Sequence, residues 1–60
     1  MNIFENEAES FEQQMKAIAV FTEDLEKRHA KMDELMCETL ERFGCHEGVK
    51  IFRESKKYYA

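Results

Sequence analysis

The chain has 60 residues with two glycines, two cysteines and no proline, and its formal net charge at pH 7 is −4. A chain of this length buries only about 60% of the surface that its unfolded form exposes, so we expect one small domain over residues 1–60. The N-terminus lacks the basic and apolar regions of a secretory signal, and no apolar run approaches the roughly 18 residues of a membrane span. These features predict a cytoplasmic protein without disulfides and without a membrane partner.

The charge is distributed unevenly along the chain. Residues 1–48 contain twelve acidic and five basic residues, a net charge of −7, whereas residues 49–60 contain four basic residues and one acidic residue, a net charge of +3. Because neutralisation of phosphates dominates the affinity of proteins for nucleic acid, the acidic body argues against nucleic acid as the main partner.

The first predicted element is a long helix over about residues 5–43. Apolar side chains recur there at alternating steps of three and four, and this heptad pattern is typical of a helix with one packing seam. We expect the seam to join two copies of the chain as a helical-bundle dimer. The seam residues are Phe11, Met15, Ile18, Leu25, Met32 and Met36.

One position argues for a break in this helix. Thr22, followed by Glu23 and Asp24, has the composition of an N-cap with acidic residues in the first turn. A break there would divide the run into helices over about 5–20 and 23–43, folded as a monomeric bundle. Nothing else in the run interrupts a helix, so the continuous helix is the main prediction and the divided helix is the alternative.

A glycine corner over residues 44–48 comes next, followed by a short helix over about 49–59. With Leu40 at C3, Gly44 at C′ and Cys45 at C″, the sequence matches a Schellman motif, in which a left-handed glycine ends a helix. We expect the short helix to fold back against the end of the long one. The predicted fold class is therefore all-α, a helical hairpin.

Two cysteines and two histidines are the candidates for metal or thiol chemistry. His29 and Cys37 are eight residues apart, about 12 Å along a helix, so they cannot share a zinc ion with bonds of about 2.0–2.3 Å. Cys45 and His46 supply only two ligands, and the usual C-x-x-C spacing does not occur. Cys45 would also follow a helix C-terminus, whose partial negative charge disfavours a thiolate. We expect no metal, no other cofactor and no catalytic residue.

The apolar stretch AIAVF, residues 17–21, predicts a protein-binding surface. It lies beyond the reach of the short helix, and soluble proteins seldom expose contiguous apolar surface without using it for association. We therefore expect a small non-catalytic adaptor or inhibitor that binds a larger protein. The candidate contact residues are Ala17, Val20 and Phe21, together with Lys50, Arg53, Lys56, Lys57 and Tyr58 of the basic C-terminal segment.

An acidic chain of this size with a long helix and a turn is similar in type to small helix-hairpin dimers and to compact regulators carried by phages and plasmids. The resemblance rests on size, charge and helical pattern, and no motif in the sequence is specific to one family. It implies a regulator that acts by binding. A nucleic-acid-binding regulator is the alternative function, with the C-terminal cations contacting phosphates and the aromatic rings stacking on bases.

Overall fold

The computed structural model describes residues 3–55, apart from the side chains of residues 3 and 4. Within that range the chain forms three helices: α1 over Ile3–Phe21, α2 over Leu25–Arg42 and α3 over His46–Glu54. These residues contain no strand, so the predicted all-α fold class is confirmed for them. None of their helices combines the length and the apolar character that crossing a lipid bilayer requires.

The structure differs from the predicted continuous helix, because the chain reverses direction at residues 22–24. α1 and α2 lie antiparallel, and Oε2 of Glu7 near the start of α1 is 3.2 Å from Nη2 of Arg42 at the end of α2. The reversal places the apolar side of α1 against α2, so one chain covers surface that a single long helix would leave for a second chain. The divided-helix alternative describes this fold, with boundaries that differ by one or two residues.

The first turn of the chain, at residues 22–24 between α1 and α2, contains no glycine and is stabilised by side chains. Asp24 is the N-cap of α2, and its Oδ1 accepts a hydrogen bond of 2.9 Å from the backbone N–H of Glu26. Arg28 donates from Nε to the carbonyl oxygen of Thr22 at 2.9 Å, and from Nη2 to that of Glu23 at 3.2 Å. These bonds satisfy backbone groups that a helix end otherwise leaves to water. Thr22, the residue that the sequence suggested as the cap, is buried at the end of α1.

The second turn has the predicted Schellman geometry. Gly44 has a φ of +91°, in the left-handed region. The N–H of Cys45 donates to the carbonyl oxygen of Leu40 at 3.0 Å, and the N–H of Gly44 donates to that of Glu41 at 3.0 Å. These are the two hydrogen bonds of the motif. α3 begins at His46, earlier than predicted, because Cys45 is also the N-cap of α3.

The three helices lie side by side in a single layer, with α2 in the middle. α2 packs against both neighbours, whereas α1 and α3 make no contact with each other within residues 3–55. The Cα atoms extend over 39 × 30 × 9 Å. Two stacked layers would need at least about 13 Å, since helix axes pack 8–10 Å apart and the Cα cylinder has a radius of about 2.3 Å. A thickness of 9 Å leaves room for one layer.

The interior of this layer is small. Leu35, Cys37 and Val49 are the buried apolar residues of the described range, and no side chain in that range is less than 2% exposed. Chains of this size that cannot build a larger core usually gain stability from disulfides, metals or association. Both cysteines are free thiols, so a disulfide does not supply it here.

Opposite sides of α2 contact the two neighbouring helices. Met32, Leu35 and Thr39 share one side at about 100° per residue, and Thr39 lines a groove together with residues of α1. Cys37 lies on the opposite side and lines a groove together with Val49 of α3. The two remaining sides of α2 form the centres of the two faces of the layer.

Candidate protein-interaction surfaces

The α1 part of the predicted dimer seam is used inside the chain. Its α1 members are half-buried, as is Met32 of α2, whereas Leu25 and Met36 are exposed. The α1 members are Phe11, Met15 and Ile18. Because α1 folds onto α2, Met15 and Ile18 pack within the hairpin, whereas Phe11 also lines a groove between the two helices.

Two grooves run along the sides of α2. The first, about 340 Å³, lies between α1 and α2, and the second, about 400 Å³, lies between α2 and α3. Met36 and Leu40 line both grooves, so the two grooves open on the same face of the layer. We call this the open apolar face and define it by Ala8, Phe11, Met36, Leu40, Phe43 and Phe52.

The open apolar face spans all three helices. Met36, Leu40, Phe43 and Phe52 on this face are between 39% and 47% exposed. The sequence predicted that the short helix would fold back against the end of the long one. Val49 of α3 makes that contact, because it is buried, yet the apolar face of the layer extends beyond it. The signal for this surface was the breadth of the apolar pattern near residue 40.

The opposite face of the layer is charged. Lys27, Lys31, Glu34 and Glu38 are exposed on α2. Lys27 and Met36 are nine residues apart, which at about 100° per residue places them on opposite sides of the helix. α2 is therefore amphipathic across the layer, with charged side chains on one face and apolar side chains on the other.

Arg53 connects α3 to the charged face. Its Nη1 lies 2.7 Å from Oε2 of Glu34 and its Nη2 lies 3.0 Å from Oε1, so the pair is bidentate. A further bond of 3.3 Å joins Nη2 to Oε1 of Glu41. The hydrogen bonds that Arg53 donates to Glu34 raise the pKa of the Arg53 guanidinium above its ordinary value. Arg53 therefore stays charged until strongly alkaline pH.

A second exposed apolar surface lies at the end of α1. Ala17, Val20 and Phe21 occupy positions i, i+3 and i+4, so they share one side of the helix, and we call them the α1 patch. Val20 is 69% exposed and Phe21 is 83% exposed. Phe21 comes thirteen residues after Ala8, which places it about 140° from Ala8 around α1. The α1 patch is therefore separate from the open apolar face.

The described part of the C-terminal segment contains two of the predicted contact cations. Lys50 is exposed on α3, and Arg53 is paired with two carboxylates. The other predicted contacts, Lys56, Lys57 and Tyr58, lie outside the described residues. Since its charge is matched by Glu34 and Glu41, Arg53 is poorly suited to hold a phosphate.

The thiols occupy different environments. Cys37 is buried between α2 and α3, and Cys45 is exposed. Cys45 follows the end of α2, as predicted, but it is also the N-cap of α3 and makes no side-chain capping hydrogen bond. Across residues 3–55, no three His, Cys, Asp or Glu side chains are grouped so that they could hold a metal ion.

The chain was compared with models of protein families, with curated proteins and with solved structures. None of the three comparisons gave a significant match. The features that point to a function are therefore the two apolar surfaces and the charges around them.

Proposed function

We propose that the chain is a small non-catalytic interaction protein, an adaptor or an inhibitor, that binds a larger protein through the α1 patch. The observation that carries this proposal is the exposure of Phe21, at 83%, beside Val20, at 69%. Aromatic side chains, phenylalanine among them, are enriched at protein interfaces. α3 does not contact α1 in the described residues, so the rest of the chain leaves this anchor accessible.

The charges around the α1 patch define the chemistry of the partner. Glu23 and Asp24 lie two and three residues after Phe21, and both are exposed. A complementary surface on the partner has an apolar pocket for the Phe21 ring and basic side chains around that pocket. Such charge complementarity mainly accelerates association and selects the partner.

The same proposal includes a cytoplasmic location and the lack of a catalytic activity. Two free thiols suit a reducing compartment, which supports the cytoplasm. The grooves are lined largely by apolar side chains, which suit packing against another apolar surface. The pairing of Arg53 with Glu34 and Glu41 favours protein over nucleic acid as the partner.

The test compares which proteins the immobilised chain retains when Phe21 or Ile51 is replaced by glutamate. Phe21→Glu removes the anchor, and Ile51→Glu is the matched control, because Ile51 is 66% exposed on a different helix. We expect a bound protein that is lost with Phe21→Glu, is retained with Ile51→Glu and dissociates more readily as salt is raised.

Circular dichroism of both variants provides the folding control. Phe21 is mostly exposed, so its replacement should leave the helix content unchanged. If folded Phe21→Glu retains the same proteins as the wild type, the α1 patch is not the binding surface and the proposal fails.

A further inference from the structure

The open apolar face is the side of the single helical layer that no second layer of the described residues covers. Small domains are stable when two layers of secondary structure enclose a shared core. Here the helices form one layer 9 Å thick, with apolar side chains on one face and charged side chains on the other. The charged face suits water, whereas the apolar face suits another apolar layer.

The chain exposes more surface than a compact monomer of its mass. A compact monomer of 7.2 kDa is expected to expose about 4100 Å² by the general scaling of surface with mass. This chain exposes 4919 Å². The excess of about 800 Å² is close to the area that each partner buries in an interface of standard size.

We propose that the open apolar face is covered by the same face of a second copy of the chain. Two-fold pairing would place Met36 and Leu40, which lie at the centre of the face and line both grooves, against their counterparts. The charged faces then lie on the two outer surfaces, and the product is a six-helix, two-layer bundle.

A second copy fits this surface better than one partner helix does. The face extends across α1, α2 and α3 and contains two parallel grooves, so a single helix would fill one groove and leave the other exposed. Another three-helix layer covers both. This dimer differs from the one expected from the heptad seam, because Phe11 and Met36 of the seam line the open apolar face, whereas Met15 and Ile18 pack within the hairpin.

The experiment measures the solution mass of the wild type and of two variants by light scattering over a hundredfold range of concentration. Leu40→Glu places a carboxylate at the centre of the face, where pairing would bury it against its own copy. Ile51→Glu is the matched control, since Ile51 lies two residues from buried Val49 and therefore points away from α2.

We expect the wild type and Ile51→Glu to have twice the chain mass of 7.2 kDa. We expect Leu40→Glu to dissociate, with a dissociation constant raised on the order of 100-fold, because a buried, unpaired charge opposes association. If the wild type has a mass of 7.2 kDa at every concentration, the proposal is wrong. The open apolar face would then be a surface for binding a different protein. A Leu40→Glu variant that is as dimeric as Ile51→Glu also overturns the proposal.

The small interior creates a risk that Leu40→Glu unfolds when it dissociates. The wild type provides a second measurement, because the unfolding temperature of a dimer rises with protein concentration. An unfolding temperature independent of concentration contradicts the proposal. These measurements need no larger partner, so their failure is distinguishable from failure of binding at the α1 patch.

Discussion

The two turns of this protein reach the same result, a reversal of the chain, by different means. The first, at residues 22–24, relies on side chains: Asp24 caps the start of α2 and Arg28 binds carbonyl oxygens at the end of α1. The second relies on the backbone, with Gly44 in the left-handed conformation and both Schellman hydrogen bonds formed. A turn that depends on a left-handed glycine can be recognised from the sequence more easily than a turn that depends on polar side chains.

The largest loss of stability is expected from Gly44→Ala at the second turn. A left-handed conformation costs about 1–2 kcal/mol for a residue with a Cβ, so the free energy of unfolding should fall by about that amount. No atom lies within 4 Å of the added Cβ, so the effect is conformational and not a clash. The measurement is urea denaturation at one fixed protein concentration.

Gly48→Ala is the matched control for that experiment. Gly48 lies inside α3 without a left-handed φ, and its added Cβ also meets open space. The same substitution should therefore stabilise the protein by about 0.5–1 kcal/mol. If both variants shift stability in the same direction, the conformation of Gly44 is not the feature that matters at the second turn.

An intermediate effect is expected from Asp24→Ala at the first turn. Loss of an N-cap acceptor costs about 1 kcal/mol, so thermal unfolding should move to a lower temperature. Asp24→Ser keeps an oxygen that accepts the hydrogen bond from Glu26 and should retain most of the stability. Equal losses in the two variants would show that capping is not the role of Asp24.

The smallest effect is expected from the ion pair that holds α3 against α2 after the second turn. The Arg53 and Glu34 side chains are 37% and 52% exposed, so water and salt screen their interaction. A double-mutant cycle with Arg53→Gln and Glu34→Gln should give a small coupling energy that decreases with added salt. A coupling that salt does not change would argue against a screened surface pair.

The second turn could be predicted because its signal is local. Gly44 follows a helix-forming run, and Leu40 and Cys45 occupy the flanking positions that the Schellman motif requires. The first turn was harder, since the stretch has no glycine, no proline and no Glu or Gln three residues after Asp24 to complete a capping box. Thr22 marked the correct place, but Asp24 is the residue that caps the helix.

Of the two surfaces, the α1 patch was the easier to predict. Its side chains all lie within the apolar stretch at residues 17–21, so composition alone indicates them. The open apolar face combines residues from three helices, and Phe52 meets Leu40 on it only because Gly44 reverses the chain. Two of its members, Phe11 and Met36, were assigned to the seam.

The sequence by itself determined the helical content, the glycine turn and the amphipathic character of each helix, because these depend on residues a few positions apart. Only the tertiary structure decided whether the heptad seam would close between two chains or within one. An apolar stripe can be buried equally well against a second chain or against another helix of the same chain. Local helix propensities do not distinguish these two arrangements. Folding α1 onto α2 uses that stripe within the chain, and the arrangement of three helices in one layer then creates a new apolar face.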